Sequence, residues 1–305
     1  VSLEKLIQQR IDRLDSVPDS LITVIEKNEL RLFKQLLADL NRLKLVDGRI
    51  EASRENLAKI TGIIENLKRT FFGKEYVDAI REFAKEIATQ ANLNNKILEQ
   101  VAETFNDTEM FKAAVQNSQR NALMLLDENA IISRFLQPLT EILSNATVQS
   151  VSFQEAVKSL QNNMVGDNAQ FSKYAKTYVK DAFSIADRQY NDLISRENQI
   201  EFYRYDGNRI KTTRYFCCVR VGGIYHRKEI ESWGRKESLW NNTSDGGKCE
   251  KTKGGGRNPQ TNASTIFSYL GGYNCRHVLI PIATDYVPQS VKDDAQAKGY
   301  YSPAD

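Results

Sequence analysis

Hydrophobic positions over the first two hundred residues recur at intervals of three and four, the period of a helix with one face turned inward. Leu3, Ile7, Ile11 and Leu14 open the pattern, and Phe33, Leu36, Leu37, Leu40 and Leu43 carry it on. Pro18, following Ser16-Val17, suits the first turn of a new helix, where a missing N–H costs nothing, so a break is expected there. Asp47-Gly48 reads as a helix stop. Leu57, Ile60, Ile64, Leu67 and Phe71 form a stripe that ends at Gly73, and Val77, Ile80, Phe83, Ala84 and Ile87 begin another. Thr108 and Ser152 each precede a periodic run, and Ser152-Phe153-Gln154-Glu155 has the spacing of a capping box. From Gln170 to about Glu197 the stripe turns aromatic, through Phe171, Tyr174, Tyr178, Phe183 and Tyr190. The heptad phase drifts at each break, which predicts a bundle or antiparallel hairpins in place of one long coiled coil.

At Ile200 the pattern changes to short β-friendly runs. Ile200 to Tyr205 reads as a strand, Asp206-Gly207 as a turn, and Thr212 to Val221 as a second strand on which Cys217 and Cys218 would face opposite sides. Gly222-Gly223 offers a turn before Ile224-Tyr225-His226, and Lys228 to Trp240 has helix-like spacing through Ile230 and Trp233. Residues 241–262 read as a loop rich in Asn, Gly, Lys and Thr. Its Gly254-Gly255-Gly256-Arg257 run lacks the Gly-Lys-Ser/Thr ending, preceding strand and following helix of a phosphate-binding loop. The expected fold class is α+β, mainly α: a helical N-terminal bundle or set of hairpins, then a small, loop-rich C-terminal domain containing a β-hairpin. The expected domains are a scaffold or attachment region over 1–169, a C-terminal domain with its lead-in helix over 170–288, and a tail over 289–305 that frays.

Composition deepens this division. With 305 residues, 41% hydrophobic and 27% charged, the chain can bury a substantial core and falls outside the disordered and collagenous classes. Its apolar runs are far shorter than the roughly 20 residues a bilayer helix needs, so no membrane span is expected. The charged, amphipathic start lacks the apolar core of a secretory signal. All four cysteines, both histidines, both tryptophans and 12 of 16 glycines follow residue 200. From Glu201 onward 16 Lys/Arg face 11 Asp/Glu, leaving 26 and 28 before it, so the two parts carry +5 and −2. The helical part has no convergent His, Cys or paired carboxylates, and its stripes read as core and partner surface.

The most specific segment is Thr265-Ile266-Phe267-Ser268-Tyr269-Leu270-Gly271-Gly272-Tyr273-Asn274-Cys275-Arg276-His277-Val278-Leu279-Ile280-Pro281. Together with Thr213-Arg214-Tyr215-Phe216-Cys217, Gly222-Gly223-Ile224-Tyr225 and Glu229-Ile230-Glu231-Ser232-Trp233, it resembles the C-terminal head-morphogenesis domain of tailed-phage minor head proteins, the Mu F-like family. In that family an Arg-x-x-Cys strand leads to a short hairpin, a small helix, a variable loop and a closing Asn-Cys-Arg-His or Asn-Cys-Arg-Cys element before a proline. The resemblance covers about residues 170 to 285, and its motif residues here are Arg214, Cys217, Trp233, Gly271, Gly272, Asn274, Cys275, Arg276, His277 and Pro281. It implies a structural minor head protein, located in the virion after synthesis in the host cytoplasm, acting in head assembly and in DNA packaging or delivery. The partners it implies are the portal protein, the major capsid protein or both, in a few copies or as several copies on a ring; genomic DNA is the further candidate partner, and the C-terminal positive charge without a base-reading motif makes the expected mode sequence-independent. Enzymatic activity is not expected.

Cys217, Cys275 and His277 fall at matching motif positions, and thiolate plus imidazole suits a tetrahedral zinc that staples a small domain, with Cys249, Cys218 or His226 as the fourth ligand. No cofactor is required, because buried cysteines beside a hydrogen-bonded histidine, or an oxidised Cys217–Cys275 pair, satisfy the same spacing. A Cys–His nucleophile is the enzymatic alternative, but it needs an orienting third group that the sequence does not indicate. Lys248, Lys251, Lys253 and Arg257 are the candidate phosphate contacts, for binding that would be sequence-independent and sensitive to salt.

Overall fold

The computed structural model describes residues 1–102, 109–124, 126–165, 170–210, 213–240 and 257–302. Helix α1 (Leu3–Leu40) is followed by a hairpin of strands β1 (Leu45–Val46) and β2 (Arg49–Ile50). Helices α2 (Arg54–Phe71), α3 (Lys74–Leu98), α4 (Glu109–Met124) and α5 (Glu128–Ile131) come next. A π-helical turn (Ile132–Leu136) joins α5 to α6 (Gln137–Val148), and α7 (Phe153–Met164) and α8 (Gln170–Glu197) complete the helical series. The remainder alternates strand β3 (Phe202–Asp206), helix α9 (Tyr215–Cys218), strand β4 (Ile224–His226), helices α10 (Arg227–Arg235) and α11 (Ile266–Tyr269), strand β5 (Val278–Ile282) and helix α12 (Gln289–Ala297). The fold is α+β and mainly α, with one two-stranded and one three-stranded antiparallel sheet among the described residues. No described helix is long and apolar enough to cross a membrane.

The chain forms two compact units that interleave in sequence. One comprises Val1–Ser16, Lys85–Arg120 and Lys180–Asp305, the other Val17–Ala84 and Asn121–Val179. The divisions fall inside α1, α3, α4 and α8, so the units do not follow a partition into 1–169, 170–288 and 289–305.

Pro18 does not end a helix: α1 runs through it. Leu14, Pro18, Leu21, Ile22 and Ile25 are all buried and stay in helical phase, so continuous burial outweighs the roughly 3 kcal/mol an interior proline costs. Asp47-Gly48 is likewise the turn of the β1–β2 hairpin and not a helix stop. Asp47 (φ 48°) and Gly48 (φ 73°) both occupy the left-handed region that a type I′ turn requires.

In the unit of 17–84 and 121–179, Ser53 caps α2, and the buried Asn56 side chain bonds the Lys44 N–H and the Lys44 and Glu51 carbonyls, fixing the hairpin to the helix start. The hairpin continues onto the α6–α7 connection through Ile50 N–H to Val151 O and Phe153 N–H to Gly48 O. Ser152 and Glu155 form the expected capping box of α7, whereas Thr108 lies outside the described residues. Phe71, Tyr76 and Phe135 centre the core with ring centroids 4.7 and 5.5 Å from Phe71, and the Tyr76 hydroxyl donates to Leu126 O. Glu29 is buried; Ser172 donates to its Oε2, while Oε1 has no partner. Desolvation raises its pKa to about 7.

In the other unit β3 is the middle strand of the order β4-β3-β5. Tyr203 and Tyr205 enter a core with Trp233, Trp240, Phe216, Phe267 and the α8 residues Tyr190 and Ile194. Phe202, on the opposite face, packs with Val287 and Ala295. The segment expected as a strand through Cys217 is instead extended at Thr213 and Arg214 and helical over Tyr215–Cys218. Both edges of β3 are already taken by β4 and β5, so this segment has no strand to pair with on β3. The described part of the tail, residues 289–302, packs onto the sheet in place of the expected fraying. Val291, Ala295, Tyr300 and Tyr301 give it an apolar stripe, and Tyr301 meets Phe202 with ring centroids 5.3 Å apart.

A buried ion pair ties α1, α3 and α8 together within this unit. Arg10 and Asp187 are fully inaccessible and meet at 2.8 Å. Gln90 and Asn94 also donate to Asp187, and Arg10 donates to Leu279 O in β5. Asp187→Ala strands a buried guanidinium and should destabilise this unit by about 3–5 kcal/mol, read from urea unfolding by the fluorescence of Trp233 and Trp240. In the other unit, Glu29 has a folded pKa raised above its ordinary value of 4.5. Its protonated form therefore contributes stability that is full below pH 4.5 and lost as pH rises through about 7. The opening free energy of the α1 amides near Glu29, taken from hydrogen exchange after division by the intrinsic base-catalysed rate at each pH, should fall by ~2–3 kcal/mol over that interval, and Glu29→Gln should abolish this fall.

Candidate metal centre

Three residues from two separated segments meet in the interior: Cys217 from α9, and Cys275 and His277 from the approach to β5. All three are buried, and their ligand atoms lie within 4.8 Å of one another. Cys217 Sγ is 3.8 Å from Cys275 Sγ, and Cys275 Sγ is 3.7 Å from His277 Nδ1. The Tyr205 hydroxyl on β3 lies 3.3 Å from Cys217 Sγ as a donor. His277 Nε2 is buried without a hydrogen-bond partner. The contact with Cys275, joined by burial, pushes the Cys217 thiol up. The same contact, helped by Arg188 and His277, holds Cys275 well below the ordinary thiol range against its burial. One proton shared between two sulfurs, with positive charge on the Cys275 side, accounts for both directions.

The loop before Cys275 explains the Gly-Gly-Tyr-Asn motif. Leu270 (φ 39°), Gly272 (φ 90°) and Asn274 (φ 54°) all adopt left-handed backbone, which glycine and asparagine tolerate and which Leu270 accepts with its side chain fully buried. Gly271 answers a different need. A Cβ there would sit 2.2 Å from Cys217 Sγ and 3.1 Å from Cys275 Sγ. Arg214 donates to Gly271 O at 3.2 Å, and the Asn274 N–H donates to Asp181 Oδ1. Pro281 lies on β5, an edge strand, opposite Tyr203, where a missing N–H is tolerated.

Other expected residues lie apart from the cluster. Trp233 is buried in α10 among Tyr205, Phe216 and Tyr225, with the Arg220 guanidinium 4.6 Å from its ring centroid. Arg276 pairs with Asp15 at 3.0 Å on a part-exposed surface. Two of the expected fourth ligands are placed elsewhere. Cys218 is in a disulfide, and His226 caps α10 through Nδ1, packs on Phe202 and faces Glu201 at 3.6 Å. A helical turn sends Cys217 and Cys218 to different surroundings, and β4 pairs His226 with Phe202, on the face of β3 opposite to Tyr205. Cys249, Lys248, Lys251 and Lys253 lie outside the described residues. Arg257 is engaged within the fold, donating to Thr261 O and Gly234 O beside the Trp240 ring.

Sequence reasoning missed the residues that hold this centre in place. Arg188 of α8 donates to the carbonyls of Ser268, Cys275 and His277, and Asn191 donates to Leu279 O. In the sequence Arg188 and Asn191 stand only as polar residues beside Tyr190 of the aromatic stripe, with no local feature that sets them apart from a solvated helix face. Comparisons with family models, curated proteins and solved structures find no match for this chain.

Gly271→Ala should destabilise the unit containing the cluster by about 2 kcal/mol or more, because its methyl competes with two sulfurs held by backbone. Denaturant unfolding followed by tryptophan fluorescence measures the loss. An unchanged midpoint would show that the loop has room to yield.

Proposed function

We propose that this chain is a structural minor head protein of a tailed bacteriophage, attached in few copies to the portal or the inner capsid and acting in head assembly. The observation that carries this reading is the convergence of the residues on which the family resemblance rests. Cys217, Gly271, Cys275 and His277 share one buried cluster, and Arg214 binds the same loop. Residues that share a motif in a structural family are expected to build a common core, and these build one. The chemistry of the cluster also favours binding over turnover. Both thiols and the imidazole are enclosed, so a substrate would have to displace core packing to reach them. The long helices supply the attachment surface in this reading, and the closing segment of the C-terminal part supplies a rigid cap.

Co-sedimentation of the purified chain with portal rings and with empty capsids tests the proposal. Saturable retention at a small number of copies per particle is expected. Retention on neither, together with DNA binding that falls steeply with added salt, would overturn it in favour of a packaging or ejection factor.

A further inference from the structure

We propose that Cys217, Cys275 and His277 bind one zinc ion, a structural metal that locks the closing segment onto α9. Tetrahedral zinc, with bonds of about 2.3 Å to sulfur and about 2.0 Å to nitrogen, places two sulfurs about 3.8 Å apart and a sulfur and a nitrogen about 3.5 Å apart. The chain holds Cys217 Sγ and Cys275 Sγ at 3.8 Å, and Cys275 Sγ and His277 Nδ1 at 3.7 Å. A disulfide would need the sulfurs at about 2.05 Å, so the two sulfurs are in non-bonded contact, at a spacing that two ligands of one tetrahedral ion also take.

The chemistry and surroundings agree with the spacing. Two thiolates and an imidazole form a soft donor set that selects zinc over magnesium or calcium. Two thiolates balance the charge of Zn²⁺, so the loaded centre is neutral where burial penalises charge. The Tyr205 hydroxyl donates to Cys217 Sγ, the kind of outer hydrogen bond that orients and tempers a coordinated thiolate. Arg188 holds the carbonyls of both Cys275 and His277, fixing the backbone on either side of Arg276. Gly271 keeps the space beside both sulfurs free of a side chain. The fourth corner takes a donor from outside these three side chains. Binding releases a proton from each thiol that carries one, and the imidazole enters neutral.

The metal content of the full chain, expressed with zinc in the medium and purified without chelator, is the test. About one zinc per chain is expected by elemental analysis and native mass spectrometry, falling below about a tenth of that in Cys275→Ser and His277→Ala. Those substitutions can also unfold the unit, so the wild-type chain gives the second measurement. Expressed in medium with cobalt in place of zinc, it should show thiolate-to-cobalt charge-transfer absorption and tetrahedral visible bands, both removed by added zinc. A folded wild-type chain with neither zinc nor cobalt bands, or a Cys217–Cys275 disulfide found by peptide mapping, would overturn the proposal. This site stands or falls apart from the head-protein reading, since metal content does not depend on portal binding.

Discussion

One buried guanidinium organises the closing segment of the C-terminal part. Arg188 reaches from α8 to three carbonyls, those of Ser268, Cys275 and His277, in a stretch too irregular to satisfy them through a sheet or helix ladder. Arginine suits this task because its planar fork offers five donors at fixed angles, and bonds to a charged donor are stronger than neutral ones. Each carbonyl left unpaired in the interior would cost about 1–3 kcal/mol. Arg10 and Asn191 extend the same device to Leu279 O, so α8 and α1 present a polar template on which the segment entering β5 is laid. The sulfur and imidazole positions are consequences of that template.

The sheet adds a second layer of constraint. β3 is hydrogen-bonded on both edges and covered on both faces, by the aromatic core on one side and by Val287, Ala295 and Tyr301 on the other. Cations are built into the apolar side. Arg220 lies 4.0 Å from the Phe216 ring centroid and donates to Phe216 O, and Arg227 lies 4.5 Å from the Phe267 ring while pairing with Asp192. Stacking a weakly hydrated guanidinium on a ring lets a small, loop-rich structure bury charge at modest cost.

Much of the helical structure was legible because it is written in a local period. The stripes ending at Phe71 and beginning at Val77, the capping box at Ser152 and the helix from Gln170 to Glu197 need only neighbouring residues to be recognised. The failures each involve a non-local cause. Pro18 stays helical because burial continues on both sides of it. Cys217 sits on a helical turn because the sheet edges beside β3 are occupied from elsewhere in the chain. Residues 289–302 are held in place because their apolar side chains cover Phe202, far from them in sequence. At the site, the cysteines and His277 announced themselves by type, while Arg188, Asp187 and Arg10 looked like the polar face of ordinary helices. Nothing in a single sequence marks which polar residue faces inward until its partner carbonyl is placed.

The interleaving of the two units also has a consequence for the order of synthesis. The unit of 17–84 and 121–179 has all its residues once position 179 has been made. The other joins residues 1–16, 85–120 and 180–305. Its opening helix segment, with Arg10, must therefore wait for Asp187 and then for Leu279 before its charge and donors are matched. During synthesis the unit of 17–84 and 121–179 can close while Arg10 still lacks its partners 177 and 269 residues further on, so these long-range contacts form late.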